Sequence, residues 1–320
     1  MKMFLSNGIK FSSFILVLVL LVACNQNVDT TNKETSKRES IQITDFTDRI
    51  VGFSEVPRKI AALGSGDVDL MNAFGIKVAG KPTKISETLD DASLKDIPEI
   101  GTTHEINYEQ VALIQPDVVL ANVAFNQDDV TAIEGVGAKV VLTEANSIED
   151  IKRQINLYGQ MLHKESEAAA ITESLTHKLE EIKSQVVVEN KRVLLVYGAP
   201  GTYMAALPNS LSGDILTHAG GINIATDYPA LEKLPQYAQI NTERVVEANP
   251  DAVLLITHGN PGEIKKSFLK EMDQNSAWNS ITAVKEGKVE VLPSELFGTN
   301  PGTKVTEAVS YLVELLNNME

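Results

Sequence analysis

The 320-residue chain has one cysteine, only 5% aromatic residues, six arginines and no cluster of basic side chains. A single cysteine excludes a disulfide framework and any thiolate-built zinc or iron–sulfur site. Asp plus Glu is 43 against 28 Lys plus Arg, a formal charge of −15. Binding a phosphate backbone requires a basic face, so nucleic acid is excluded as a partner. The motifs of catalysis are also missing. There is no G-x-S-x-G elbow, no P-loop, no H-E-x-x-H and no G-x-G-x-x-G after a strand, so the chain does not read as an enzyme. Gly64-Ser65-Gly66 follows a strand pattern but lacks the rest of a phosphate cradle. With 43% apolar and 22% charged residues the composition is that of a globular chain of one or two domains.

What is present begins with an address. Met1–Lys10 carries Lys2 and Lys10 and no acid, and Phe11–Val22 is almost wholly apolar. A run of that length is too short for a bilayer core of about 30 Å, and with its basic flank it reads as a secretory signal over residues 1–23. The run ends Leu21-Val22-Ala23-Cys24, which resembles the bacterial lipobox. That resemblance implies cleavage before Cys24, a diacylglyceryl group on its sulfur, and a body held at the outer face of a membrane. Cleavage takes the charge from −15 to −17. Residues 24–40 hold almost nothing apolar after Cys24 and read as a flexible tether.

From Ile41 the chain alternates short aliphatic runs with amphipathic stretches. Lys59–Leu63, Asp117–Val123 and Lys139–Thr143 read as buried strands, with helical patterns at Asp67–Ala73 and Glu109–Ile114. The same order restarts at Arg192–Gly198, Asp251–Thr257 and Lys288–Leu292, and a final amphipathic helix covers about Thr303–Asn318. Continuous apolar strands between helices predict mostly parallel sheets covered on both faces. An internal repeat supports two lobes: Ile106-Asn107-Tyr108-Glu109-Gln110-Val111 through Pro116-Asp117-Val118-Val119-Leu120 matches Ile240-Asn241-Thr242-Glu243-Arg244-Val245 through Pro250-Asp251-Ala252-Val253-Leu254 at one constant offset. Asn107 and Asn241 are placed to N-cap a helix with Glu109 and Glu243 in its first turn. Between the halves, residues 147–185 read as one long helix with a possible break at Gly159. The expected organisation is therefore an α/β lobe over 41–146, an interdomain helix over 147–185, a second α/β lobe over 186–320, and a cleft between the lobes.

The lipobox, the paired lobes, the long helix and Ala219-Gly220-Gly221-Ile222-Asn223 together resemble the class III substrate-binding lipoproteins of ABC importers. That family carries iron siderophores, haem or cobalamin. The resemblance runs from about residue 41 to the end and implies that the chain works as a monomer beside a permease and its ATPase, catalysing nothing itself. It also implies that Glu109 and Glu243 meet arginines of the permease. Within the family, Pro98-Glu99-Ile100-Gly101, Ala199-Pro200-Gly201-Thr202-Tyr203, Thr257-His258-Gly259 and Leu296-Phe297-Gly298 are similar to the haem-binding lipoproteins of Gram-positive surface haem-uptake systems, the IsdE type. There the iron sits between a methionine of one lobe and a histidine of the other. His258 matches the histidine, but His104 stands where the methionine is expected.

Haem iron takes His or Met as an axial ligand. His258 follows a buried strand, where open α/β sheets bind ligands, and His104 lies in a loop just before the first repeated helix. If both serve, the iron is bis-histidine, with one ligand from each lobe. His163 and His177 lie on the long helical pattern and His218 at a helix end, where structural roles suffice. Tyr203, Met204, Phe297 and Phe125 are the candidates for apolar walls, and Lys81, Lys84 and Lys304 for carboxylate partners. The scarcity of arginine weighs against an anionic catecholate siderophore and toward haem. A siderophore or cobalamin binder remains the alternative. Less favoured is a metal-ion site using His104 and His258 with Glu295 or Asp227.

Overall fold

The aliphatic runs become strands where the hydropathy pattern predicts them. The structure is a computed structural model and describes residues 41–83, 94–102, 104–187, 190–198, 201–257, 261–274 and 276–319. The described chain opens with an antiparallel hairpin, β1 (Ile41–Thr44) against β2 (Ile50–Phe53), whose inward Ile41, Ile43, Val51 and Phe53 alternate with more exposed neighbours. The first lobe then sets β3 (Ile60–Ala62), β4 (Val118–Asn122) and β5 (Lys139–Thr143) side by side as a parallel sheet. Between them run α1 (Ser65–Ala73), α2 (Tyr108–Ile114), α3 (Val123–Asn126) and α4 (Val130–Gly135). Val118 to Leu120 and Val140 to Leu142 are buried, so these strands carry no polar–apolar alternation.

Two helices follow, α5 (Ile148–Leu162) and α6 (Glu165–Lys183), and here the expectation of one helix over 147–185 needs correction. The break is at His163, not at Gly159. His163 adopts left-handed geometry (φ 53°) and closes α5, and the Lys164 N–H donates to the Gly159 carbonyl at 2.8 Å. Gly159 instead lets the two helices touch: a Cβ there would stand 2.5 Å from the Cβ of Ala168. The 19 residues of α6, about 28 Å long, then lead into the second lobe.

That lobe contains β6 (Arg192–Tyr197), β7 (Met204–Ala206), α7 (Leu211–His218), β8 (Ile222–Asn223), β9 (Tyr237–Gln239), α8 (Thr242–Ala248), β10 (Ala252–Ile256), α9 (Pro261–Asp273), α10 (Thr282–Lys285), β11 (Val289–Val291), α11 (Ser294–Phe297) and α12 (Val305–Asn317). Its sheet runs β11-β10-β6-β7-β9, with β8 also beside β6. Strands β6, β8, β10 and β11 are mutually parallel, and β7 alone runs against them, pairing antiparallel with both β6 and β9.

The repeat is structural as well as textual. Asn107 Oδ1 accepts the Gln110 N–H and Asn241 Oδ1 the Arg244 N–H, each at 3.0 Å. Both helices end in a left-handed residue, Gln115 and Asn249. The aspartate after each proline is then pinned to the neighbouring strand's start: Asp117 Oδ2 accepts the Lys59 N–H at 2.8 Å and Asp251 Oδ2 the Arg192 N–H at 2.7 Å. Around these sheets the apolar side chains of α5, α6 and α12 merge with one face of each sheet into a single core, while the other face of each sheet has a core of its own.

Candidate functional site

Parallel strands deliver their carboxyl ends to one edge of a sheet, and in each lobe that edge faces the other lobe. The first lobe contributes the Gly64–Asp67 turn after β3, Asn122 at the end of β4 and Thr143 at the end of β5. The second contributes Tyr197 at the end of β6, Tyr237 of β9, Ser210 at the start of α7 and the stretch Phe297–Asn300. Together they enclose a cavity of about 190 Å³. Two aromatic pairs stand on its walls, one from each lobe. His104 meets Phe125 edge-on at 4.6 Å, and Tyr197 lies against Tyr237 at 4.9 Å. Burial pushes the phenols of Tyr197 and Tyr237 above their usual range, so both remain neutral donors. Among the described residues of the wall there is no lysine and no arginine.

The floor is a buried polar network. Asp67 Oδ1 accepts from the Tyr158 hydroxyl at 2.6 Å and from Gln154 Nε2 at 2.7 Å, and the same amide lies 2.9 Å from Thr143 Oγ1. Gln154 Oε1 in turn accepts from Asn300 Nδ2 at 2.8 Å. Burial raises the Asp67 carboxyl to about 6, against the opposing effect of hydrogen bonds from Tyr158, the Gly64 backbone and Gln154. Tyr158 is held well above its ordinary value, first by burial and then by the charge of Asp67. Below this floor Asp69 Oδ2 accepts both the N–H and the hydroxyl of Thr303 at 2.7 Å, and burial raises its carboxyl as well.

Of the residues singled out from sequence, the cavity brings together His104, Phe125 and Phe297. His104 is exposed, its N–H donating to Thr102 Oγ1 at 3.2 Å. His258, Lys84 and Cys24 lie outside the described residues. Four candidates are not in the wall. Tyr203 packs edge-on against Phe268 at 5.1 Å, in the core on the far face of the second sheet. Met204 is the register partner of Tyr197 and shares its sheet face without reaching the cavity. Lys81 is buried with its ammonium 3.4 Å from Glu99, and Lys304 sits behind the floor beside Asp69. Glu295 and Asp227 are also away from the cavity, and no group of three His, Cys, Asp or Glu able to hold a metal ion occurs among the described residues. Reasoning from sequence missed Tyr197, Tyr237, Gln154 and Asn300. Only Tyr197 carried a signal, as the polar tip that closes an apolar strand run.

Glu109 and Glu243 are both exposed, in the first turns of α2 and α8. Glu243 stands beside a shallow groove that also involves Tyr228 and Glu247. Among the described residues no helix is long and apolar enough to cross a membrane.

Comparison with known proteins agrees with this architecture. A family described as periplasmic binding protein matches residues 60–296. The high-affinity heme uptake system protein IsdE of Staphylococcus aureus (strain bovine RF122 / ET3-1) is 30% identical over 247 residues, 77% of this chain and 82% of its own. Among solved structures, S. aureus IsdE complexed with heme superposes with a TM-score of 0.70 at 28% identity, covering 81% of this chain and 98% of that one. An ABC transporter substrate-binding protein from Listeria monocytogenes EGD-e gives 0.70 at 27% identity, covering 82% and 98%.

Proposed function

Because the chain belongs to the periplasmic binding protein family, we propose that it is the substrate-binding component of an iron-related ABC importer and that its cargo is haem, held between the lobes. It is a carrier and not an enzyme; ATP is hydrolysed by other subunits of the importer. The observation that carries the haem reading is the His104–Phe125 pair on the wall of the interlobe cavity, where a planar iron-bearing ring would meet an imidazole and aromatic surface together. His258 is the proposed second axial ligand. Support comes from the strand that leads to it: β10 ends beside β6, with Ile256 in register with Tyr197 of the cavity wall. Among the described residues of the wall, haem propionates would find hydroxyl and amide donors and no Lys or Arg. A cavity of 190 Å³ is below the range of about 300–1,000 Å³ usual for small-molecule sites, so loading requires the lobes to part. A lipid on Cys24 would hold the carrier at the outer face of the membrane, with Glu109 and Glu243 turned to the permease.

Titration of the purified chain with haemin and, separately, with ferric siderophores tests the reading. Haemin is expected to give an intense Soret band that shifts when His104 or His258 is replaced by alanine. A siderophore that binds where haemin does not would transfer the assignment to the alternative cargo.

A further inference from the structure

The seam between the lobes is joined by hydrogen bonds of two kinds. Behind the floor, α1 grips the 3-10 turn Gly302–Lys304: one carboxylate oxygen of Asp69 takes two donors from Thr303, both at 2.7 Å. Where this contact meets the cavity wall, Gly66 of the same helix presses on the backbone carbonyl of Asn300 so closely that no Cβ would fit between them. At the cavity itself the bonds across the seam are single: beside it the Ile148 N–H donates to Asp214 Oδ2 at 2.8 Å, and two more are made by side-chain amides. Asn300 Nδ2 donates to Gln154 Oε1 at 2.8 Å on the floor, and Gln236 Nε2 donates to Glu144 Oε1 at 3.3 Å on the wall. Two short bonds to one buried carboxylate hold more firmly than the single neutral bond at Asn300 or the single, longer bond of 3.3 Å from Gln236 to the Glu144 carboxylate, so the seam is firm behind and breakable in front.

We propose that the Asp69–Thr303 contact is the pivot about which the lobes part, and that Asn300 and Gln236 are positioning residues whose amide bridges keep the cavity closed on its cargo. The proposal rests on the carrier reading above. Neither bridge involves His104, so their loss acts on retention and leaves that ligand candidate in place.

The replacement Asn300→Asp isolates the floor bridge. Its Oδ1 continues to accept the Gly302 N–H, which Asn300 takes at 2.9 Å, while the donor to Gln154 is removed. Two measurements on the full chain decide the matter: backbone hydrogen exchange without cargo, and the rate at which bound haemin is lost to an apo-haem protein in excess. Asn300→Asp is expected to speed exchange over residues 298–304 and in α1, and to raise haemin loss about tenfold, as for one buried hydrogen bond of about 1.4 kcal/mol. Adding Gln236→Ala should raise it further, with the Soret maximum unmoved throughout. Exchange and haemin loss both at wild-type levels in the double variant would overturn the proposal, and so would faster exchange without faster loss. If the wild type takes up no haemin, the cargo reading falls on its own. Exchange alone then decides the bridges.

Discussion

Asp67 is the side chain most displaced from its ordinary chemistry. Its carboxyl is buried at the cavity floor and raised to about 6 from 3.8, so between those values the folded protein holds a proton that the unfolded chain releases. The sign follows from linkage. The group favours the fold most below pH 3.8, and that contribution is lost as pH rises through about 6, a swing of about 3 kcal/mol before relaxation. Replacing Asp67 by Asn removes the titration. Denaturant midpoints of the wild type and the variant, compared at pH 4.5 and 7.5, should therefore diverge in the variant's favour at the higher pH. A difference that does not change with pH would mean that Asp67 is already ionised throughout. The carboxylate is tolerated at neutral pH because Tyr158, Gln154 and the Gly64 backbone all donate to it.

Among the elements, the helix pair α5–α6 gives the sharpest test. Alanine is favoured over glycine by about 1 kcal/mol in a helix interior, which by itself predicts that Gly159→Ala stabilises. The contact with Ala168 predicts the reverse, because a methyl group at 2.5 Å must drive the helices apart at a cost of about 1–3 kcal/mol. The expected outcome is a net loss, read as a lower thermal midpoint. This pair also marks where reading the sequence stops. Buried strands such as β4, β6 and β10 were evident because each is a continuous aliphatic run, and the caps of α2 and α8 because Asn, Glu and Pro recur at fixed spacing. The turn at His163 was not, because a left-handed histidine has no composition signal. Strands β7, β8 and β9 were missed because Met204–Ala206, Ile222–Asn223 and Tyr237–Gln239 hold no run of branched aliphatic residues, and they owe their form to the neighbours they pair with. The cavity wall was half visible for a similar reason. His104 announces itself by its chemistry, but Tyr237, Gln154 and Asn300 reach the site only through contacts distant in sequence.

For the whole molecule, the duplicated helix–strand unit sets one exposed glutamate on each lobe, Glu109 and Glu243. Exchanging both for alanine removes two solvated charges and no packing, so folding and haemin affinity should stay at wild-type levels. Uptake in cells or reconstituted vesicles should drop at least tenfold if these carboxylates dock the permease, and unchanged uptake would remove them from that role. The core that runs unbroken from the first sheet through α5, α6 and α12 to the second carries a separate consequence. Prising the halves widely apart would wet oily side chains all along that spine, and thermal agitation alone does not supply such work. Loading and release are therefore confined to a narrow parting that leaves the spine dry.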